Sequence, residues 1–170
     1  MINGWRAGLA AAAGAAVCGC GFHPLYAPGS AANTAMPTVF VDVIANRNGQ
    51  ILRQALQERL EGTDANVAKQ YELTISYQFA STGLGIQADN SSDRTRFIGT
   101  ALWTLKRPGT FGTKVTSGVA RSVDGANVIN AQFFYSDLSA EAIQRRMGDA
   151  LADQIAQQLA VYFRSHPAHA

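Results

Sequence analysis

The sequence predicts an α+β fold: an antiparallel or mixed four-stranded sheet with two helices packed on one face, in the order β-α-β-β-β-α. Three observations carry this prediction. Tyr71 to Ala80 alternates apolar and polar residues, the period of a half-buried strand. Residues 94–106 and 113–123 flank the turn-forming stretch Arg107-Pro108-Gly109-Thr110-Phe111-Gly112 and read as the arms of a long hairpin. The stretch from about Asp137 to Phe163 repeats apolar residues at helical spacing. Long antiparallel strands and two amphipathic helices pack as a helix layer over one sheet face. The other sheet face is then expected to be polar.

The elements follow in chain order. Thr38 to Ile44, TVFVDVI, is β-branched and reads as the first strand. From Asn48 to Glu61, residues Ile51, Leu52, Ala55, Leu56 and Leu60 share one helical face, with Asn48 as N-cap and Gly62 as the stop. In the next strand Tyr71, Leu73, Ile75, Tyr77 and Phe79 share one side, and Glu72, Thr74, Ser76 and Gln78 the other. Residues 81–93 are rich in Gly, Ser and Asp and read as a loop. A second loop is expected from Gly125 to Ser136; its Phe133, Phe134 and Tyr135 suit either core packing or an apolar partner contact. Asp137 or Ser139 can cap the closing helix, whose stripe is Ile143, Met147, Ala150, Leu151, Ile155, Leu159 and Tyr162.

Composition supports a single domain. The chain has 170 residues, 47% hydrophobic and 15% charged, well short of the ~25% charge typical of soluble domains, which argues against disorder. Its formal charge of +2 gives no global reason to expect nucleic acid as a partner. Two cysteines, Cys18 and Cys20, stand too close together to staple a distant loop.

The N-terminus reads as an export signal. Arg6 is followed by AGLAAAAGAAV, residues 7–17, all Ala, Gly, Leu or Val. Eleven such residues span about 16 Å as a helix, too little for the ~30 Å hydrocarbon core. Val17-Cys18-Gly19-Cys20 then resembles a bacterial lipobox, in which Cys20 becomes the first mature residue and carries the lipid anchor. A plain secretory signal, or a Cys-x-Cys metal pair with His23, are the other readings. Gly21 stands where an Asp would resemble an inner-membrane retention signal, so the expected address is the outer membrane, lipid-anchored on its periplasmic side. Four segments result: a lipoprotein signal peptide over 1–19, a lipidated N-terminus and tether over 20–37, a single α+β domain over 38–165, and a disordered tail over 166–170. Losing residues 1–19 removes Arg6 and lowers the formal charge from +2 to +1.

Catalytic chemistry is not visible. His23 lies beside the anchor, and His166 and His169 lie in the tail, so no histidine is placed beside a nucleophile. Asp89, Ser91, Asp93 and Thr95 alternate as calcium ligands do, but Arg94 stands where the EF-hand turn needs Gly, and Thr100 where it needs Glu. Gly83-Leu84-Gly85 lacks the third glycine of a dinucleotide loop, and Glu58, Glu61 and Glu72 are scattered. No catalytic residue, metal site or cofactor is expected, and the chain does not read as an enzyme. The cations are more informative: Arg94, Arg96, Lys106, Arg107, Lys114 and Arg121 all fall on the hairpin, six of 13 in the mature chain. They suit an anionic partner or, equally, the solubility and edge protection of exposed strands.

Cys20-Gly21-Phe22-His23-Pro24-Leu25-Tyr26 resembles the mature start of the lipopolysaccharide-assembly lipoproteins of the LptE family. The element order, the Pro-Gly hairpin and the closing helix over Ala140 to Leu159 are similar as well. The resemblance implies an outer-membrane lipoprotein that plugs the LptD barrel, assists its assembly and helps deliver lipopolysaccharide to the outer leaflet. Its implied partners are LptD, lipopolysaccharide and the membrane through the lipid anchor. The family's basic lipopolysaccharide contacts lie near positions that here read Gln87 to Ser92 and Asn130 to Tyr135, stretches without Lys or Arg. The contact is therefore expected at Arg94, Arg96, Lys106, Arg107 and Lys114. The alternative is a generic periplasm-facing lipoprotein acting as adaptor or pilot for another envelope complex; a hydrolase is a third reading, disfavoured by the missing histidine.

Overall fold

A computed structural model describes residues 30–61, 67–86, 92–109, 112–127 and 133–167. The elements are α1 (Ala31–Ala35), a 3-10 turn (Met36–Thr38), β1 (Val39–Val41), α2 (Asn46–Glu61), β2 (Tyr71–Ile86), β3 (Ser92–Lys106), β4 (Lys114–Asn127) and α3 (Phe133–Ser165). The sheet order is β1-β2-β3-β4, with β1 parallel to β2 and the other pairs antiparallel. This is the expected mixed sheet and the expected order, preceded by one short helix.

That helix changes the reading of the tether. Ser30 caps it, its hydroxyl accepting the Asn33 N–H at 3.2 Å. Ala32 and Met36, four residues apart, turn the same way and are buried in the core. Residues 31–37 are therefore part of the folded domain and not an extended linker. A five-residue helix is too short to show periodicity, so its small polar composition concealed it. Residues 20–29 of the expected tether, the signal segment and Cys20 lie outside the described residues.

The β1–α2–β2 crossover explains why this one pair is parallel: a helix between two strands returns the chain to the same end of the sheet. The run from Thr38 to Ile44 pairs only over Val39–Val41, against Tyr71–Leu73. α2 starts at Asn46, whose φ of 68° is a conformation that Asn tolerates better than most residues, and not at a capping Asn48.

The two loops expected around the hairpin are shorter than predicted. β2 continues through residues 81–86, and its ladder with β3 runs from Glu72↔Lys106 to Ile86↔Ser92. Gly83 and Ser81 have weak strand preference, but β3 supplies a complete hydrogen-bonding partner, and pairing overrides propensity. β4 similarly runs on to Asn127, where it pairs with Arg94. α3 begins at Phe133, so Phe133, Phe134 and Tyr135 stand in its first turn and not in a loop before Asp137.

Both long helices cover one sheet face. Leu52, Ala55, Leu56 and Leu60 of α2 and Leu151, Ala152, Ile155, Ala156, Leu159, Ala160 and Phe163 of α3 join Leu73, Ile75, Ala101, Trp103, Leu105 and Ala120 in one core. Each fully buried leucine contributes about 1.5–3 kcal/mol. The predicted stripe on α3 is right at Ile143, Met147, Leu151, Ile155 and Leu159; Ala150 and Tyr162 are only half-buried. Two glycines are set by contact. A Cβ on Gly148 would lie 2.9 Å from Ile51 Cγ2, so Gly148 lets α3 approach α2 closely. A Cβ on Gly118 would lie 2.6 Å from the Trp103 ring, which packs over it. Among the described residues no helix is long and apolar enough to cross a membrane.

Candidate functional site

The face of the sheet away from the helices follows from register. On β3, Trp103 and Leu105 point into the core, so Arg94, Arg96, Ile98, Thr100, Leu102, Thr104 and Lys106 take the open face. Opposite them on β4 stand Asn127, Gly125, Val123, Arg121, Val119, Ser117 and Lys114. The open face is not polar, as expected, but carries an apolar centre. Leu102 faces Val119 and Ile98 faces Val123, with Leu102, Val119 and Val123 48%, 52% and 55% exposed. Phe40 of β1 adds a fourth exposed apolar side chain at 42%. The polar expectation rested on β2 alone, whose Ser76 and Gln78 are indeed exposed.

The five expected contact residues fall into two groups. Arg94 and Arg96 stand at the end of the sheet where β3 begins. Lys106, Arg107 and Lys114 surround the β3–β4 turn at the other end, with Lys106 directly opposite Lys114. Ten residues of strand, about 33 Å, separate Arg96 from Lys106. They are therefore two basic ends of one face and not one patch. The turn end is partly balanced, because Glu72 of β2 is the other neighbour of Lys106. A bulge between Leu105 and Lys106 shifts the register there.

The Arg94 end carries a concavity. Leu84, Arg94, Arg96, Val123, Asp124 and Gly125 line a cleft of about 430 Å³. Asp124 is already engaged: its Oδ2 accepts Arg146 Nε at 3.1 Å and Nη2 at 2.9 Å, and its Oδ1 accepts the Gly125 N–H at 2.7 Å. The cleft thus combines two guanidinium groups with the apolar side chains of Leu84 and Val123. It suits an amphipathic anion, whose charged groups meet the arginines while its apolar part lies along the wall.

The remaining cations serve a different purpose. Arg59 of α2 reaches Asp153 and Asp149 of α3, and its pKa is raised by the hydrogen bond to Asp153 above all. Arg47 and Arg145 share Glu141, whose carboxyl is held below the usual range, first by the hydrogen bond from Arg145. Lys69 pairs with Glu61 at 3.0 Å. Among the described residues no ion pair involves Arg96, Lys106, Arg107, Lys114 or Arg121. Burial raises the pKa of Tyr77. His166, expected in the tail, stacks on Tyr162 with ring centroids 4.4 Å apart. His23, His169 and Cys20 lie outside the described residues.

A family model described as LptE, lipopolysaccharide-assembly, matches residues 36–159, most of the chain and all of the sheet. The chain belongs to the LptE family. LptE proteins are outer-membrane lipoproteins of lipopolysaccharide assembly, and the family suggested by the residues around Cys20 is met independently by the folded domain. No curated protein sequence matches the chain significantly. Solved structures match in fold. A Caulobacter crescentus protein assigned as a lipoprotein has a TM-score of 0.64 at 19% identity, covering 78% of this chain and 95% of that one. The rare lipoprotein B of Shewanella oneidensis has a TM-score of 0.57 at 13% identity, covering 73% and 94%. A minor lipoprotein of Acinetobacter baumannii has a TM-score of 0.53 at 17% identity, covering 73% and 90%. At these identities the likeness speaks for the LptE-type fold alone.

Proposed function

We propose that this LptE-family chain is anchored by lipid on Cys20 to the periplasmic side of the outer membrane, where it plugs and assists assembly of the LptD barrel and passes lipopolysaccharide toward the outer leaflet. The observation that carries the reading is the family match over residues 36–159. The open sheet face supports it. An apolar centre made by Leu102, Val119, Ile98 and Val123 suits a protein wall, and the Arg94–Arg96 cleft suits a phosphorylated, acylated glycolipid. Binding and positioning, not bond chemistry, is the proposed activity.

Two measurements test this. LptD should co-purify with the lipidated chain from detergent-solubilised outer membrane; recovery of a different envelope complex in its place supports the adaptor reading. Arg94→Gln with Arg96→Gln should weaken lipopolysaccharide binding by at least about tenfold, the loss expected for one or two charge-assisted contacts. Lys106→Gln, Arg107→Gln and Lys114→Gln together should weaken it less. If all five changes leave both lipopolysaccharide binding and barrel assembly intact, the cations serve solubility only.

A further inference from the structure

At the opposite end of the domain from Arg94, the start of α1, the end of α3 and the beginning of β2 enclose an apolar cleft of about 310 Å³. Its walls include Ala31 and Ala35 of α1, Tyr71 of β2, and Phe163 and Pro167. Tyr71 and Phe163 pack against each other at 5.3 Å, so the floor of the cleft is continuous with the core. The chain arrives at this rim: Ser30 precedes Ala31, and Cys20 lies ten residues upstream of Ser30.

We propose that the segment Phe22–Tyr26 docks in this cleft, with Leu25 and Tyr26 as the buried side chains. The sequence between segment and rim is Ala27-Pro28-Gly29-Ser30, and Pro followed by Gly is the pair that the two central positions of a type II turn favour. Such a turn brings its ends within about 7 Å and reverses the chain, returning Leu25 and Tyr26 toward α1. Residues 20–29 contain three large apolar side chains, Phe22, Leu25 and Tyr26, and no Lys, Arg, Asp or Glu. The segment is therefore matched in polarity to the walls of the cleft, and it is already tethered there at high effective concentration.

Docking changes what the anchor does, given the lipid on Cys20 proposed above. A free run of ten residues would let the domain sit up to about 35 Å from its lipid. With Leu25 as the first buried side chain, the five residues Cys20 to Pro24 remain, or roughly 17 Å. The base formed by α1 and the end of α3 is then held near the membrane. α3, 33 residues and about 50 Å long, carries the Arg94 end away from it. The latch orients the domain as well as retaining it.

Disulfide trapping in the mature, lipidated chain tests the latch, with Ala27→Cys paired to Gln70→Cys at the cleft. Arg164→Cys, exposed beside Phe163 but outside the cleft lining, serves as the comparison site. The Gln70 pair should form within one chain and faster than the Arg164 pair. Adding Leu25→Ser and Tyr26→Ser should slow it by at least about tenfold, since losing two buried apolar side chains shifts the equilibrium by a decade or more. These changes leave the folded domain untouched, so the loss is not one of stability. Equal rates with and without the serines, or equal trapping at Arg164, overturn the proposal. So does trapping between two chains, which assigns the cleft to a second copy. Loss of trapping in mature Cys20→Ser protein, with no effect of the serines, assigns it to an acyl chain and also overturns it.

Discussion

Gln158→Leu should expose how the third helix holds the last strand. Gln158 accepts the Trp103 Nε1–H at 2.8 Å through its Oε1 and donates from Nε2 to the Val119 carbonyl at 3.0 Å. Trp103 is only 3% exposed, and its ring packs over Gly118. Leucine fills nearly the same space as glutamine but offers no acceptor. The indole N–H is then buried without a partner, at a cost of about 1–3 kcal/mol. The Val119 carbonyl faces the outer edge of β4, where water replaces the lost bond at little cost. For a domain of this size each kcal/mol lowers Tm by about 2–4 °C, so the expected shift is roughly 2–12 °C. The decisive measurement is a double-mutant cycle in urea and heat. In a Trp103→Phe background the donor is gone, and Gln158→Leu should cost less than half as much, while the cavity left by the smaller ring cancels around the cycle. Equal costs in the two backgrounds would refute the idea that indole satisfaction is what Gln158 supplies.

Three further outcomes can be measured on the same protein. Gly148→Ala puts a methyl 2.9 Å from Ile51 Cγ2 and should destabilise by about 1–3 kcal/mol through overpacking between α2 and α3, with Ile51→Val recovering part of the loss in urea denaturation. Glu141 is held below the usual carboxylate range by Arg145 and Arg47, so its contribution is present above the ordinary Glu pKa of about 4.3 and is lost as pH falls through the depressed folded value. That acid-limb loss should be small, weakened by salt, and absent in Glu141→Gln, as followed by thermal melts from neutral to acid pH. Burial holds the Tyr77 phenol above its ordinary value, so stability should fall as pH rises past about 10, and Tyr77→Phe should remove that loss in melts followed from neutral to alkaline pH.

How much of the fold was legible depended on what each residue's period could reveal. Tyr71, Leu73 and Ile75 announced β2 because strict alternation over ten residues puts every apolar side chain on one side only in an extended chain; Met147, Leu151, Ile155 and Leu159 announced α3 in the same way at helical spacing. Ser81 and Gly83 did not announce that β2 continues, because their strand state comes from β3 across the ladder and not from themselves. Leu102 and Val119 could each be seen as strand residues, but their meeting on the open face depends on the hairpin register, which a bulge at Leu105 and Lys106 adjusts. The cations on β3 were found from sequence; that they split was calculable too, since residues 96 and 106 on one strand cannot be neighbours. α1 gave no signal at all: two buried residues, Ala32 and Met36, in five residues of helix and a turn are too few to form a pattern.

The placement of the hairpin cations bears on what they are for. Edge protection was one candidate role, but Arg94, Arg96 and Lys106 belong to β3, an interior strand with β2 on one side and β4 on the other. The edge strand β4 is guarded by other means. Gln154 both accepts the Arg121 N–H at 3.1 Å and donates to the Arg121 carbonyl at 3.0 Å, as a neighbouring strand would. Gln158 takes the Val119 carbonyl, and Asp124 takes the Gly125 N–H. With that edge engaged by the chain itself, a positive charge is not needed there to deter strand addition. The cations also differ in their company: Arg47, Arg59, Lys69, Arg145 and Arg146 are paired with carboxylates, whereas among the described residues Arg96 and Lys106, on the open sheet face, enter no ion pair. A formal net charge of only +2 therefore conceals a division of labour: paired charges join the helices to each other and to β4, and the sheet turns its cations, at both ends of an apolar strip, toward whatever meets its open face.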